Sequence, residues 1–266
     1  MFVLTGAGCS TASGIPDYRD RKGAWKRDQP VRYQAFLSEE HARRRYWARS
    51  FVGWPTVARA RPNRAHLALA ALERAGHIHQ LVTQNVDGLH QRAGQRRVLD
   101  LHGRLAWVDC LDCGLRLTRQ AVQELLAAAN PGAVPMASAV AADGDAEVDG
   151  QREAAFRVPG CPRCAGLLKP GVVFFGENVP RPRVELALAR LRESGVLLAV
   201  GTSLSVYSGF RFCRAAAEAG IPIALVNRGR TRADGLAREK VEGDAGAALW
   251  NLTHLLGVEF PPCGEG

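Results

Sequence analysis

Two cysteine pairs, Cys110-x-x-Cys113 and Cys161-Pro-Arg-Cys164, stand apart in the chain with 47 residues between them. Each is a knuckle that can turn two thiolates toward one point, and together they offer the four sulfurs of a tetrahedral zinc ion. Because four thiolates fill every position, the spacing predicts a structural ion with no open place for water or substrate. The competing reading is two unrelated pairs or a redox dithiol. Cys9, Cys213 and Cys263 are left over and read as small buried or incidental residues.

A second group of residues has types suited to covalent chemistry. His102 lies in LHG (101 to 103), and a histidine is the commonest general base near neutral pH. Asn85 and Asp87 lie in QNVDGLH (84 to 90), where both side chains can point into a crevice, although Asn and Asp also favour plain turns and helix caps. Near the N-terminus GAGCST (6 to 11) has the G-x-G that brings backbone N–H groups near a pyrophosphate. Thr11 replaces the third glycine of the usual dinucleotide fingerprint, so an ordinary dehydrogenase is not favoured. The run continues as SGIPDYRD (13 to 20), which reads as a shaped loop over a ligand.

The elements that must hold these residues follow from the hydrophobic pattern. Six short apolar runs, at 2 to 6, 77 to 85, 98 to 103, 171 to 176, 196 to 202 and 221 to 227, read as buried parallel strands. Helical patterns at 66 to 76, 183 to 195 and 210 to 220 each end in glycine. Strand and helix alternate, so the expected fold is α/β, a Rossmann-like doubly wound parallel sheet of about six strands with a smaller zinc-binding and helical module. The sheet domain is expected from 1 to 30, 62 to 103 and 167 to 260, with a helical insertion at 31 to 61 and the zinc-binding module at 104 to 166. Within that module, residues 127 to 150 have the Ala, Gly, Asp and Pro content of a mobile surface loop. In such sheets ligands bind at the carboxyl ends of strands, where QNVDGLH and LHG are expected.

Composition narrows the class. Apolar residues make up 47% and charged residues 23% of the 266, without an apolar run of eighteen, so disordered and membrane-spanning readings are excluded. The net charge of +9 invites a nucleic-acid reading. However, the basic residues are spread along the chain and the densest run, HARRRYWAR at 41 to 49, reads as one helix, which argues against it. The opening MFVLTGAG lacks an export signal, and paired cysteines at metal spacing suit a reducing compartment, so the cytoplasm is expected.

Taken in order, GAGCST, GIPDYR (14 to 19), QNVDGLH, LHG, the two cysteine pairs, GVVFFGE (171 to 177), GTSL (201 to 204) and VN (226 to 227) resemble the sirtuin family of NAD-dependent protein deacylases across nearly the whole chain. Tyr18, the long gap between cysteine pairs, RYWARSFVGWP (45 to 55) and VYSGFRF (206 to 212) are most similar to its class II branch. One departure is that family members usually carry a helix before the first strand.

The resemblance implies an NAD-dependent lysine deacylase that releases nicotinamide and O-acyl-ADP-ribose, with acyl-lysine proteins or peptides as partners and one structural Zn2+. It makes His102 the acid-base residue and gives Asn85 and Asp87 catalytic places at the nicotinamide and its ribose, with Ile15 and Asp17. Ala7, Ser10 and Arg19 would line the phosphate and ribose region, and Gly201, Thr202, Ser203 and Asn227 the adenosine half. Gly6, Gly8, Pro16, Tyr18, Gln84, Arg228, Gly229 and Ala245 complete the expected cofactor set. The peptide would add as a strand between Val173, Phe174, Phe175 and Gly176 on one side and Val206 on the other. Tyr46 and Arg49, on one helix face, resemble the Tyr-x-x-Arg pair of members that take acidic acyl groups, although a plain basic amphipathic helix explains them equally. Alternatives on the same scaffold are mono-ADP-ribosyl transfer and removal of lipoyl or acidic acyl groups.

Overall fold

The computed structural model describes residues 1 to 17, 30 to 133 and 143 to 259. Strand β1 (Phe2–Thr5) lies near the middle of a six-stranded, wholly parallel sheet. β2 (Gln80–Thr83) and β3 (Val98–Asp100) extend it one way; β7 (Leu197–Val200), β8 (Ile223–Asn227) and β9 (Glu239–Glu242) extend it the other. The order β3-β2-β1-β7-β8-β9 reverses direction between β1 and β7, so the loops leaving these two strands diverge and open a crevice.

Alternation along the strands builds a core on each face. Phe2 and Leu4 point with Leu197, Ala199 and Leu225 against α7 (Arg181–Arg192) and α8 (Tyr207–Glu218). Val3, Leu198 and Val200 point the other way, against α3 (Arg64–Arg74) and α9 (Ala245–Leu255). Asn63 caps α3 by accepting from the Ala65 N–H, and His66 Nδ1 accepts from the Asn63 N–H in return. At the other end of a helix, Gly220 with φ of 68° follows α8 and stops it, as its place in the sequence predicts.

The smaller module has its own three-stranded antiparallel sheet, β5 (Arg116–Thr118), β4 (Gly103–Cys110) and β6 (Leu168–Val172). Around it lie α1 (Tyr33–Ser38), α2 (Glu40–Arg59), α5 (Arg119–Ala129) and α6 (Gly150–Ala155), while the short α4 (Leu89–Arg92) follows β2. Phe36, Tyr46, Trp47, Phe51, Val108, Val122, Leu168 and Phe174 form its core.

Three expectations need correction. The apolar run at 171 to 176 is not a strand of the parallel sheet. Its first two residues end β6, which pairs antiparallel with β4, and the remainder leaves the sheet. The sixth parallel strand is β9, whose Glu-Lys-Val-Glu sequence is mostly exposed at the sheet edge and so lacks the apolar run that marks a buried strand. GAGCST and the two residues after it form two 3-10 turns, Ala7–Cys9 and Thr11–Ser13. Of the expected surface loop at 127 to 150, residues 134 to 142 lie outside the described residues, but Asp145 and Ala146 are buried against α2, and residues up to Ala129 belong to α5.

Candidate active site and metal centre

The loops leaving β1 and β7 interlock at the strand reversal. Gly8 N–H donates to the Gly201 carbonyl at 2.8 Å. A Cβ on Gly6 would come within 2.6 Å of Thr202 Cβ, and one on Gly201, already at φ of 58°, within 2.4 Å of the Cys9 nitrogen. Only glycine lets these backbones close on each other and still face a ligand. From this point a cavity of about 650 Å³ runs across the carboxyl ends of the strands.

One end of the cavity is lined by Gly6, Ala7, Gly8, Gly201, Thr202, Ser203, Asn227 and Arg228, and its middle by Asp17, Gln84, Asn85 and His102. Val173, Phe174, Phe175, Gly176 and Val206 flank it, and Tyr46 closes the far end. The structure thus gathers most of the residues chosen from sequence around one space. Ser10, Ile15, Pro16, Asp87, Gly229 and Ala245 do not line it. Tyr18 and Arg19 lie outside the described residues.

Two of the residues that do not line the cavity support ones that do. Asn85 Nδ2 donates to the Gly6 carbonyl and to Ser10 Oγ, both at 3.0 Å, and Ser10 Oγ–H donates to Asp87 Oδ2 at 2.7 Å. Asp87 Oδ1 accepts from the Leu89 N–H at the start of α4. Burial raises the Asp87 carboxyl above its ordinary value, and the bonds from Leu89 and Ser10 partly oppose this. The Asn85 amide is therefore fixed from behind by a Ser10–Asp87 chain. After β8, Asn227 Nδ2 donates to the carbonyls of Arg228 and Gly229, and Arg228 pairs with Asp244, the N-cap of α9.

His102 occupies the turn between β3 and β4. Gly103 makes that turn possible: its φ is 80° and a Cβ there would meet the Gly171 carbonyl oxygen at 2.1 Å. The imidazole Nδ1 lies 3.0 Å from the Gln84 carbonyl. A carbonyl only accepts, so Nδ1 carries the proton and Nε2 presents its lone pair. Ser208 Oγ–H, from the first turn of α8, donates to that lone pair at 2.8 Å. Burial lowers the His102 pKa to about 4; the Gln84 bond opposes this while the charges of Arg183 and Arg211 add to it. The imidazole is neutral at pH 7. Sequence reasoning missed Ser208, whose only signal is its position two residues after Val206 at the start of a helix.

The His102 carbonyl accepts from the Val173 N–H at 2.7 Å, which ties the histidine turn to the segment leaving β6. That segment is held by Glu177, whose Oε2 accepts from the Phe174 N–H at 2.8 Å and from the buried Lys169 Nζ at 3.0 Å. On its other side the Tyr33 N–H donates to the Phe175 carbonyl. Val206, the N-cap of α8, also lines the cavity and is 41% exposed.

The far end differs from expectation. The buried Tyr46 ring packs on Phe174 at 5.1 Å and reaches the cavity. Arg49 does not reach it; its guanidinium Nε pairs with Glu153 of α6. Asp143 and Asp145 line this end instead. Two aspartates in an Ala- and Gly-rich run give no sequence signal for such a place.

The four paired cysteines converge. Cys110 and Cys164 sulfurs are 3.6 Å apart, Cys113 and Cys161 sulfurs 3.7 Å apart, and all four lie within 4.8 Å of one another. Thiolates bound to zinc at about 2.3 Å sit roughly 3.8 Å apart at tetrahedral corners, so the set fits one ion and no disulfide. Backbone hydrogen bonds from Cys113 and Asp112 hold the Cys110 thiol down to about 7, which favours the ligating form. Cys9, His66 and His90 also cluster. There His66 Nδ1 already accepts from the Asn63 N–H, so Nε2 carries the ring proton and has no lone pair to offer a metal.

Comparison with known proteins agrees with this geometry. A family model described as the Sir2 family matches residues 6 to 208. An NAD-dependent protein deacetylase of Xanthomonas campestris pv. campestris is 59% identical over 249 residues, covering 94% of this chain and 85% of that protein. NAD-dependent protein deacetylase 2 of Bradyrhizobium diazoefficiens is 57% identical, covering 94% and 91%. Among solved structures, a Sir2 with p53 peptide and NAD+ superposes with a TM-score of 0.77 at 30% identity over 97% of this chain and 93% of that one. Sir2Tm bound to a propionylated peptide gives 0.75 at 29% identity over the same shares. Among the described residues no helix is long and apolar enough to cross a membrane.

Proposed function

The chain belongs to the Sir2 family and is an NAD-dependent protein deacylase acting on acyl-lysine, and from that premise we propose how its residues divide the work. NAD supplies the electrophilic ribose carbon and the nicotinamide that leaves, and the acyl group passes from lysine to ADP-ribose. Nothing in the cavity favours transfer of ADP-ribose to a protein instead.

His102 is the base. Its Nε2 lone pair faces the cavity in the neutral state, oriented by the Gln84 carbonyl, and takes the proton of a ribose hydroxyl as the acyl oxygen is captured. Ser208, which donates to that lone pair, keeps the imidazole aimed and gives way to the ribose hydroxyl. Asn85, held by Ser10 and Gly6, binds at the nicotinamide ribose beside Asp17, and Asp87 acts through Ser10 to fix it. Gly6, Ala7 and Gly8 take the phosphates, while Thr202, Ser203, Asn227 and Arg228 take the adenosine half. Gly229 shapes the turn behind Asn227, and Ala245 opens α9 there.

The acyl-lysine peptide enters as a strand between Val173–Gly176 and Val206, and its lysine runs inward past Val173 to His102. One zinc ion on Cys110, Cys113, Cys161 and Cys164 is structural. It holds the hairpins from which β6 delivers Val173, and takes no part in acyl transfer. Four free cysteines in one cluster also suit a reducing cytoplasm.

The observation that carries the assignment is the neutral His102, whose unprotonated Nε2 meets Ser208 in the wall of the cavity that Asn85 also lines. The test is His102→Ala with acetyl-lysine peptide and NAD. Nicotinamide release coupled to O-acetyl-ADP-ribose, read by product mass, is expected to fall by at least about a hundredfold, in line with the loss of a general base, while thermal melting stays near the parent. Turnover within a few-fold of the parent rules out this role.

A further inference from the structure

The far end of the cavity is assembled with more care than a mobile loop requires. Gly144, at φ of 80°, lays its backbone on α2 at Gly53, so closely that a Cβ on Gly53 would meet the Gly144 carbonyl oxygen at 1.9 Å. The Ala146 N–H donates to the Arg49 carbonyl at 3.1 Å, and the Asp145 N–H to Asp143 Oδ1 at 3.2 Å. These contacts bury Asp145 to 9% exposure in the cavity wall near Tyr46. Asp145 Oδ1 is fully buried and has no hydrogen-bond partner among the described residues. The Asp145 side chain nevertheless lines the cavity, and a buried carboxyl with an unmade acceptor is costly, so a donor brought to it when the cavity fills is favoured.

Resting on the deacylase reading above, we propose that this end is a subsite for lysine acyl groups carrying a hydrogen-bond donor, a hydroxyl or amide N–H, with the Asp145 carboxyl as the acceptor. Carboxylate-ended acyl groups are disfavoured in the same place. Arg49, the cation that would have paired with them, is taken by Glu153. Arg119, another nearby guanidinium, is spent on Ser50 and Gln123 and stacks over Trp47 and Trp54. What lines the cavity there is a pair of carboxyl groups with none of Arg45, Arg49 or Arg119 among the lining residues, so an acyl carboxylate would lose its water without gaining a cation. Burial and the neighbouring Asp143 push the Asp145 carboxyl well up, against the pull of Arg49, Arg119 and Arg45. Its neutral form still offers a carbonyl oxygen to a donor.

The experiment compares kcat/KM on one peptide carrying acetyl, butyryl, 3-hydroxybutyryl, 4-hydroxybutyryl or succinyl lysine, for the parent, Asp145→Asn and Asp145→Ala. In the parent, at least one hydroxyacyl peptide is expected to exceed butyryl about threefold to tenfold, the worth of one hydrogen bond, and succinyl to fall below butyryl. Asp145→Asn keeps a carbonyl acceptor and preserves the hydroxyl preference; Asp145→Ala brings the ratio to about one. Equal turnover of butyryl and both hydroxybutyryl peptides by the parent, or a ratio unchanged in folded Asp145→Ala, overturns the proposal. The parent ratios decide even if Asp145→Ala does not fold. Acetyl turnover separates the two readings: its absence, with no O-acetyl-ADP-ribose formed, defeats the deacylase assignment itself, whereas intact acetyl turnover with a flat hydroxyl ratio defeats only the subsite.

Discussion

At His102 two hydrogen bonds fix which nitrogen carries the proton and which the lone pair. The Gln84 carbonyl claims the Nδ1 proton, so the basic lone pair must be on Nε2, where the Ser208 hydroxyl sits. Burial brings the histidine from an ordinary 6.5 to about 4, and donation from Ser208 stabilises the neutral ring further. The acid limb of kcat/KM, which reports the free enzyme, is therefore expected below 6.5. Ser208→Ala removes a donor that favours the neutral ring, so the limb should move upward, by about half to one pH unit for a hydrogen bond of ~1 kcal/mol. His66 and His102 both have lowered values in the fold, so unfolding takes up protons and stability present above pH 6.5 is lost as the pH falls toward 4. The limb is thus read above about pH 5, with folding followed in parallel. An unmoved limb in Ser208→Ala would show that the hydroxyl does not govern the base.

Among the elements, what was legible in the sequence depended on whether a residue's job leaves a local mark. Strands β1, β7 and β8 are continuous apolar runs because both faces of the sheet are covered, and the glycines that interlock them are forced by close approach, so both could be read directly. β9 could not, because an edge strand needs no apolar run. The run at 171 to 176 misled because burial by a small module and burial by a central sheet look alike in one dimension. The cysteine tetrad was legible from spacing, and the QNVDGLH and LHG loops from their expected places at strand ends together with the family resemblance, whereas Ser208 and Asp145 reach the cavity through helix placement and through one Gly–Gly contact made across the module. That contact can be tested. Gly53→Ala pushes a methyl into the Gly144 carbonyl, so the segment bearing Asp145 must lift off α2. The expected cost is about 1–3 kcal/mol of stability, with a larger change in the ratio of hydroxybutyryl to butyryl turnover than in acetyl turnover. Parent-like melting and an unchanged ratio would mean that the segment is not held by this packing.

Across the whole molecule, the cleft has one wall on each of two cores. The parallel sheet carries Gly6, Asn85 and Asn227 on cores built from its own helices, with no cysteine of the tetrad among them. The opposite wall, Val173 to Gly176, hangs from β6, whose partner β4 ends at Cys110, while Cys161 and Cys110 lie in the small core itself. Metal binding is therefore coupled to the order of the Val173–Gly176 wall, the proposed peptide wall, far more than to the proposed cofactor wall on the parallel sheet. Removing the metal with a chelator, or replacing Cys161 with Ala, is expected to abolish deacylation and open backbone amides in β4, β5 and β6 to hydrogen exchange. Amides in β1, β7 and β8 should stay protected. Equal loss of protection in both sheets would show one cooperative unit in which the tetrad supports the cofactor wall as well. Full activity of metal-free protein would remove the tetrad from any part in shaping the cleft.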